Sequence, residues 1–261
     1  MGEEVTMHYV CSDLHGQYDM FLEVVRKIHL KKHDSLYIIG DVIDRGPEPV
    51  LLLLDIMRRK NVTLMIGNHE HMMLRALLYG DSNSMSNWML NGGETTLEQF
   101  ERLSGSQQKK LLGWLNERPL VIPGLHVNGH SYYLAHASHT RYAEKEVLRY
   151  CDAGLANIEQ IVWSREYQYP DMKRLGYMYH RLYAEYPCTT LIIGHTPVYR
   201  CSYGLMSENG YARISPGAKG HFYNIDCGCV SGRSLGCLRL EDMEEFYSDR
   251  KNILRNKGGK K

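Results

Sequence analysis

Five apolar runs in this chain of 261 residues each break off into a side chain that a divalent cation accepts. They are Tyr9-Val10-Cys11-Ser12-Asp13-Leu14-His15, Leu36-Tyr37-Ile38-Ile39-Gly40-Asp41, Leu64-Met65-Ile66-Gly67-Asn68-His69-Glu70, Tyr132-Tyr133-Leu134-Ala135-His136 and Leu191-Ile192-Ile193-Gly194-His195. Asp, Asn and His offer the oxygen and nitrogen donors that hard and borderline metals take. Asp13 and His15, two apart at a strand end, would share a face. With Asp41 they form a three-ligand set, while Asp41, Asn68, His136 and His195 form a four-ligand set. A carboxylate has two oxygens, so Asp41 could serve both. Two cations about 3.5–4 Å apart are the clamp that hydrolyses phosphate esters, lowering the pKa of a shared water towards 7 and binding phosphoryl oxygens. One such residue alone would signify little, since a buried His usually just satisfies a hydrogen bond. Five such strand ends in one chain together point to a shared metal site.

The elements that must position these residues alternate strand and helix. After the strand ending at Cys11, Tyr18, Phe21, Leu22, Val25 and Ile28 recur at helical spacing. The strand ending at Ile39 leads through Pro47 and Pro49 to a helix with Val50, Leu53, Leu54 and Met57. A third strand, 62–66, precedes a helical run from His71 to Leu78. Such alternation implies parallel strands with crossover helices, whose ligands bind at the carboxyl ends of the strands. The α/β reading covers 1–261 as a single domain, with a largely helical insertion at about 80–131. That insertion, with an Asn91-Gly92-Gly93 turn and a stripe of Leu111, Leu112, Trp114 and Leu115, is expected to be a cap or a substrate-facing subregion. A Tyr-rich segment around Tyr167, Tyr169, Tyr177, Tyr179, Tyr183 and Tyr186 is expected to pack beneath a helical layer. Residues 222–240 read as two short strands joined by the turn Ser231-Gly232-Arg233-Ser234.

Composition narrows the class further. Thirty-one Lys and Arg against 30 Asp and Glu leave a formal charge of +1, without the basic excess of a nucleic-acid surface. The basic stretch 250–261 reads as a solvated tail. Seven Cys residues without paired C-x-x-C spacing point to reduced thiols and a cytoplasmic setting rather than a disulfide framework or a zinc knot. The apolar runs are too short for a membrane span or a signal peptide.

The motifs Asp13-Leu14-His15-Gly16, Gly40-Asp41-Val42-Ile43-Asp44-Arg45-Gly46, Gly67-Asn68-His69-Glu70, His136 and Gly194-His195-Thr196-Pro197 resemble the series of the calcineurin-like metallophosphoesterases. Within that superfamily they are most similar to the phosphoprotein phosphatase family in its short bacterial and bacteriophage-lambda form, and Trp163-Ser164-Arg165-Glu166 resembles its arginine-bearing segment. The likeness spans roughly residues 8–240. It implies a central β-sandwich flanked by helices, with two metals at the carboxyl ends of the strands. It also implies that His69 is the general acid, that Asp44 holds its imidazole, and that Arg45 and Arg165 grip phosphate, for which a guanidinium fork is suited. Glu70 is expected to support its loop. The other histidines (His8, His29, His33, His71, His126, His130, His139, His180 and His221) are expected to be packing or surface residues, with His221 the one to watch.

The function that follows is removal of phosphate from phosphoserine and phosphothreonine by direct attack of a metal-bridging hydroxide, with no covalent intermediate and no nucleophilic role for Cys11. The mixed oxygen and nitrogen donors admit Mn, Fe or Zn, with Mn the first trial. The same centre could split a phosphoanhydride, as symmetrical diadenosine tetraphosphate hydrolases do; intact Asp44-Arg45 and Glu70 favour the phosphatase. The complete ligand set argues against a non-catalytic scaffold. Expected partners are a phosphoprotein or a small phosphate ester, with neither nucleic acid nor membrane.

Overall fold

A computed structural model describes residues 5–140, 146–168, 189–202, 204–206, 212–216 and 222–249. The chain opens with β1 (His8–Cys11), α1 (Tyr18–Lys27), β2 (Ser35–Ile38), α2 (Pro49–Arg58) and β3 (Val62–Leu64). Four helices follow: α3 (Asn68–Leu77), α4 (Ser82–Leu90), α5 (Glu94–Glu101) and α6 (Gly105–Asn116). Then come β4 (Pro119–Val127), β5 (His130–Ala135), β6 (Leu148–Arg149), α7 (Leu155–Trp163) and β7 (Thr189–Ile193). The last elements are β8 (Leu205–Met206), β9 (Ala212–Arg213), β10 (Ser215–Pro216), β11 (Phe222–Asn224), β12 (Gly236–Arg239) and β13 (Glu245–Tyr247).

These strands make two principal sheets, ordered β13-β12-β1-β2-β3 and β10-β11-β7-β5-β4-β6, and a small ribbon of β8 and β9. The expected parallel pairing holds for β1, β2 and β3, whose crossovers carry α1 and α2. It recurs in the second sheet, where β5, β7 and β11 are mutually parallel. Each parallel trio is flanked by antiparallel strands, which the alternation pattern did not announce. The insertion is helical to Asn116, but 119–135 forms the β4–β5 hairpin instead. Both strands carry runs of four consecutive buried residues instead of an alternation, and the pairing shifts register between Ile122 and Leu125, so no period of two shows in the sequence. The two short strands within 222–240 exist, but they do not pair with each other. β11 lies in the six-stranded sheet and β12 in the five-stranded one.

Strand periodicity explains the sandwich. Val10, Ile39, Met65 and Leu238 from the first sheet share one buried cluster with Ile122, Tyr132, Leu134 and Ile192 from the second. Their neighbours Tyr9, Cys11, Leu36 and Ile38 point the other way, into a larger cluster with Phe21, Leu52 and Leu53 of α1 and α2. Tyr133, Leu191 and Ile193 do likewise in the second sheet, in the cluster that takes in Leu111, Leu115 and Ile158 of α6 and α7. A slip of one residue in β1 would exchange these faces, so the register is strongly determined.

Cys11, Cys227, Cys229 and Cys237 are buried free thiols, as expected of small apolar side chains. Among the described spare histidines, His29, His126 and His130 are exposed, whereas His71 and His139 are buried with tyrosine partners. His180, His221, the basic tail and the Tyr-rich segment beyond Gln168 lie outside the described residues. Burial and Arg75 push the His71 imidazole down to about 4. The fold therefore holds it neutral, and its contribution to stability is complete above about pH 6.5 and lost as pH falls towards 4, by about 3 kcal/mol in total. His71→Gln should flatten the pH dependence of the unfolding free energy between pH 7 and 5 in urea titrations. Parallel curves for the two proteins would show that His71 does not drive it.

Candidate metal centre and active site

The carboxyl ends of the two parallel trios face one site. From the first sheet, β1 leads to Asp13 and His15, β2 to Asp41, Asp44 and Arg45, and β3 to Asn68 and His69. From the second, β5 leads to His136, β7 to His195 and β11 to Asp226. Six of these residues are held in the left-handed backbone region: Asp13 (φ 56°), His15 (43°), Asp41 (55°), Asp44 (72°), Arg45 (66°) and His195 (68°). That conformation costs about 1–2 kcal/mol per non-glycine residue, least for Asp and Asn, and concentrates at functional sites. Asp13 and His15 therefore do not share a strand face; they lie beyond β1 in a tight loop, because the chain turns left-handed there. Backbone bonds hold the loop, from Asp13 N to Gly40 O (3.1 Å) and from His15 N to Asp41 O (2.9 Å).

The third motif also differs from its strand-end reading. Asn68 and His69 open α3. Glu70, fully buried, accepts from the backbone N–H groups of Gly67 (2.9 Å), Asp41 (2.9 Å) and Val42 (2.8 Å), capping the helix and tying it to the Asp41 loop. Side chains of adjacent helical residues diverge by about 100°, so Asn68 and His69 still point apart, for a helical reason. At Gly67 a Cβ would lie 2.3 Å from Asp41 Oδ1. The glycine is what allows the helix start to approach that carboxylate.

Asp41 stands at the centre. Its Oδ1 lies 3.4 Å from His136 Nε2, and its Oδ2 lies 3.8 Å from His15 Nε2 and 4.0 Å from His69 Nε2. Asn68 Oδ1 is 3.0 Å from both His136 Nε2 and His195 Nδ1. Donor atoms of His15, Asp41 and His69 lie within 4.8 Å of one another, as do those of Asp41, His136 and His195, and all these residues are buried. His15 and His136 donate from Nδ1 to the carbonyls of Ile43 (3.0 Å) and Ile39 (2.8 Å), which turns Nε2 of each towards the cluster as the nitrogen that would meet a cation. Asp13 stands slightly apart, its Oδ2 accepting from His195 N (3.0 Å) and the Ser12 hydroxyl.

The electrostatics fit divalent cations. Burial, then Asp41, lifts Asp13 to about 6, and burial with Asp13 lifts Asp226 well above the carboxylate range. These are signs of excess buried negative charge. Burial would also raise Asp41, but His136 and His69 hold it well below its ordinary value. Burial and His69 depress His15 to about 3, and burial with His136 depresses His195, keeping both in the neutral form that ligates. His195 Nε2 is buried without a hydrogen-bond partner among the described residues. The residues present suit a pair of divalent ions.

Asp44 and His69 form the second feature. His69 Nδ1–H donates to Asp44 Oδ2 at 2.5 Å, both side chains being fully buried. The Arg45 guanidinium donates to His69 Nε2 (2.7 Å) and His15 Nε2 (2.9 Å). A guanidinium only donates, so both of those nitrogens accept. Burial opposes charge on His69, but Asp41 and Asp44 raise its pKa. Arg165, just past α7, donates to Thr196 Oγ1 (2.9 Å) and shares one pocket with Arg45, His69, Asn91, Trp163 and Asp226. All ten sequence-derived residues meet at or just behind this pocket. Sequence reasoning missed Asp226, whose only signal was the Asn224-Ile225-Asp226-Cys227-Gly228 turn closing a strand.

A family model of the calcineurin-like phosphoesterases matches residues 9–220, and the chain belongs to that family. It is 30% identical over 164 residues, 60% of this chain and 68% of the other, to "Serine/threonine-protein phosphatase 1" of Salmonella typhimurium. It is 32% identical over 116 residues, 44% of this chain and 39% of the other, to "Bis(5'-nucleosyl)-tetraphosphatase, symmetrical" of Wigglesworthia glossinidia brevipalpis. The chain thus spans about two thirds of the first relative and well under half of the second. A Saccharomyces cerevisiae protein serine/threonine phosphatase shares the fold with a TM-score of 0.58 at 18% identity, over 90% of this chain and 72% of that one. No helix among the described residues is long and apolar enough to cross a membrane.

Proposed function

We propose that the protein is a metal-dependent phosphomonoesterase that removes phosphate from phosphoserine and phosphothreonine in proteins. Asp13, His15 and Asp41 would hold one divalent cation, and Asp41, Asn68, His136 and His195 a second. When bound, such a pair supplies a deprotonated water as nucleophile and neutralises charge building on the phosphoryl oxygens, with Mn the first metal to try. Arg45 and Arg165 bind and orient the phosphate. As a phosphate draws the Arg45 guanidinium onto its oxygens, His69 Nε2 is freed to carry a proton towards the departing oxygen, while Asp44 keeps Nδ1–H in place. A cytoplasmic setting fits the reduced thiols of Cys11, Cys151, Cys227, Cys229 and Cys237.

The observation that carries this reading is the buried Asp44–His69 pair behind Arg45. A serine alkoxide is a strongly basic leaving group and needs a proton. The phosphate chain released from a phosphoanhydride departs as a stable anion and does not. The second reading, a dinucleoside tetraphosphate hydrolase, draws on the name of the Wigglesworthia relative. With Mn present, the protein should hydrolyse an aryl phosphate and a phosphoseryl peptide. Inertness towards both, alongside cleavage of diadenosine tetraphosphate, would overturn the phosphatase reading.

A further inference from the structure

Asp44 is pinned from the side away from the pocket by the helices between β3 and β4. Its Oδ2, which takes the His69 proton donor, also accepts from Trp88 Nε1 of α4 at 2.8 Å. Its Oδ1 accepts from the Thr96 hydroxyl of α5 at 2.6 Å, and that same hydroxyl oxygen accepts from Asp44 N at 2.9 Å. Trp88 and Thr96 are both fully buried. The turn between them holds the next residue as well: Arg45 N donates to Gly92 O (3.1 Å) and Arg45 Nε to Asn91 O (3.2 Å). A Cβ on Gly93 would come within 2.7 Å of the Trp88 indole, so the ring lies directly against the turn.

We propose that Trp88 and Thr96 are positioning residues for proton donation by His69, acting through Asp44. The inference rests on the assignment of His69 as the acid. A carboxylate with one partner can rotate about its terminal torsion, which is broad. Three donors arriving from α3, α4 and α5 fix the plane of this one, and the plane fixes the direction in which the imidazole presents Nε2. Apolar packing alone would not require an indole N–H or a hydroxyl at these positions. It would accept Phe and Val. On this view the helical insertion is a clamp behind the acid, and only its turn reaches the pocket wall, at Asn91.

The test uses metal-loaded Trp88→Phe, Thr96→Val, Thr96→Ser and His69→Asn with two substrates: a phosphoseryl peptide, whose alkoxide needs a proton, and 2,4-dinitrophenyl phosphate, whose phenolate does not. Trp88→Phe and Thr96→Val should each lower the ratio of peptide to aryl turnover about tenfold, in line with one lost hydrogen bond to a charged group. Thr96→Ser should restore it, and His69→Asn should show the same split more strongly. If His69→Asn affects both substrates equally, the acid assignment itself fails. If His69→Asn splits them and the two variants do not, or lose both substrates together, the positioning role is overturned. A second readout is independent of turnover. The downfield proton NMR signal that vanishes in His69→Asn should move in Trp88→Phe and Thr96→Val, and an unmoved signal would equally sink the proposal.

Discussion

Replacing His69 by Asn should leave the protein folded and still able to bind two ions, yet slow hydrolysis of a phosphoseryl peptide by two to four orders of magnitude. That is the usual contribution of a positioned general acid. His69 also sits close enough to Asp41 and His15 to be grouped with them as a metal ligand. The two roles differ in what the substitution removes. As a ligand, its loss would strip metal; as an acid whose Nδ1 is committed to Asp44, it would spare metal and take the proton. Elemental analysis alongside turnover decides between them. Depleted metal would make His69 a ligand, and near-normal turnover would remove it from the chemistry.

Asp41→Asn should be worse. The two Asp41 oxygens face different histidines, Oδ1 towards His136 and Oδ2 towards His15 and His69. Asn tolerates the left-handed backbone that Asp41 adopts (φ 55°) and can still accept from His69 N at the Oδ1 position. The change therefore deletes charge while leaving the loop intact. Affinity for both ions should fall by more than the roughly 10- to 100-fold that loss of a second-shell partner costs. Dialysed protein retaining two ions per chain would refute a bridging role for Asp41.

The site was more legible in the sequence than its supports. Asp13, Asp41, Asn68, His136 and His195 could be read because parallel strands are short and apolar and end abruptly, so the polar residue that follows stands out. The geometry between them could not be read in the same way. A left-handed turn at Asp13 and His15 has no strong one-letter signature when the residues are Asp and His, and the start of α3 is set by Glu70 reaching back to Gly67. Trp88 and Thr96 were invisible for a different reason. They lie 44 and 52 residues from Asp44, on helices where a buried Trp or Thr looks like ordinary core. The parallel pairing of β1, β2 and β3 followed from local alternation. The partition of β11 and β12 between two sheets depends on pairings with β7 and β1, far away in sequence.

That last pairing sets a timetable for synthesis. β1 lies between β12 and β2, with Val10 opposite Leu238 and Cys11 opposite Cys237, and the Cys229 thiol donates to the carbonyl of Asp13 (3.1 Å). Every residue proposed for catalysis has been made by His195, yet the strand that carries Asp13 keeps an open edge until residues 236–239 emerge. At 5–20 residues per second, β1 waits roughly 10–45 s for its neighbour. A chain stopping at residue 230 would contain the whole catalytic inventory and still present an unpaired apolar edge beside it, an invitation to aggregation. A nonsense mutation in this last stretch should therefore be read as a loss of solubility before it is read as a loss of chemistry.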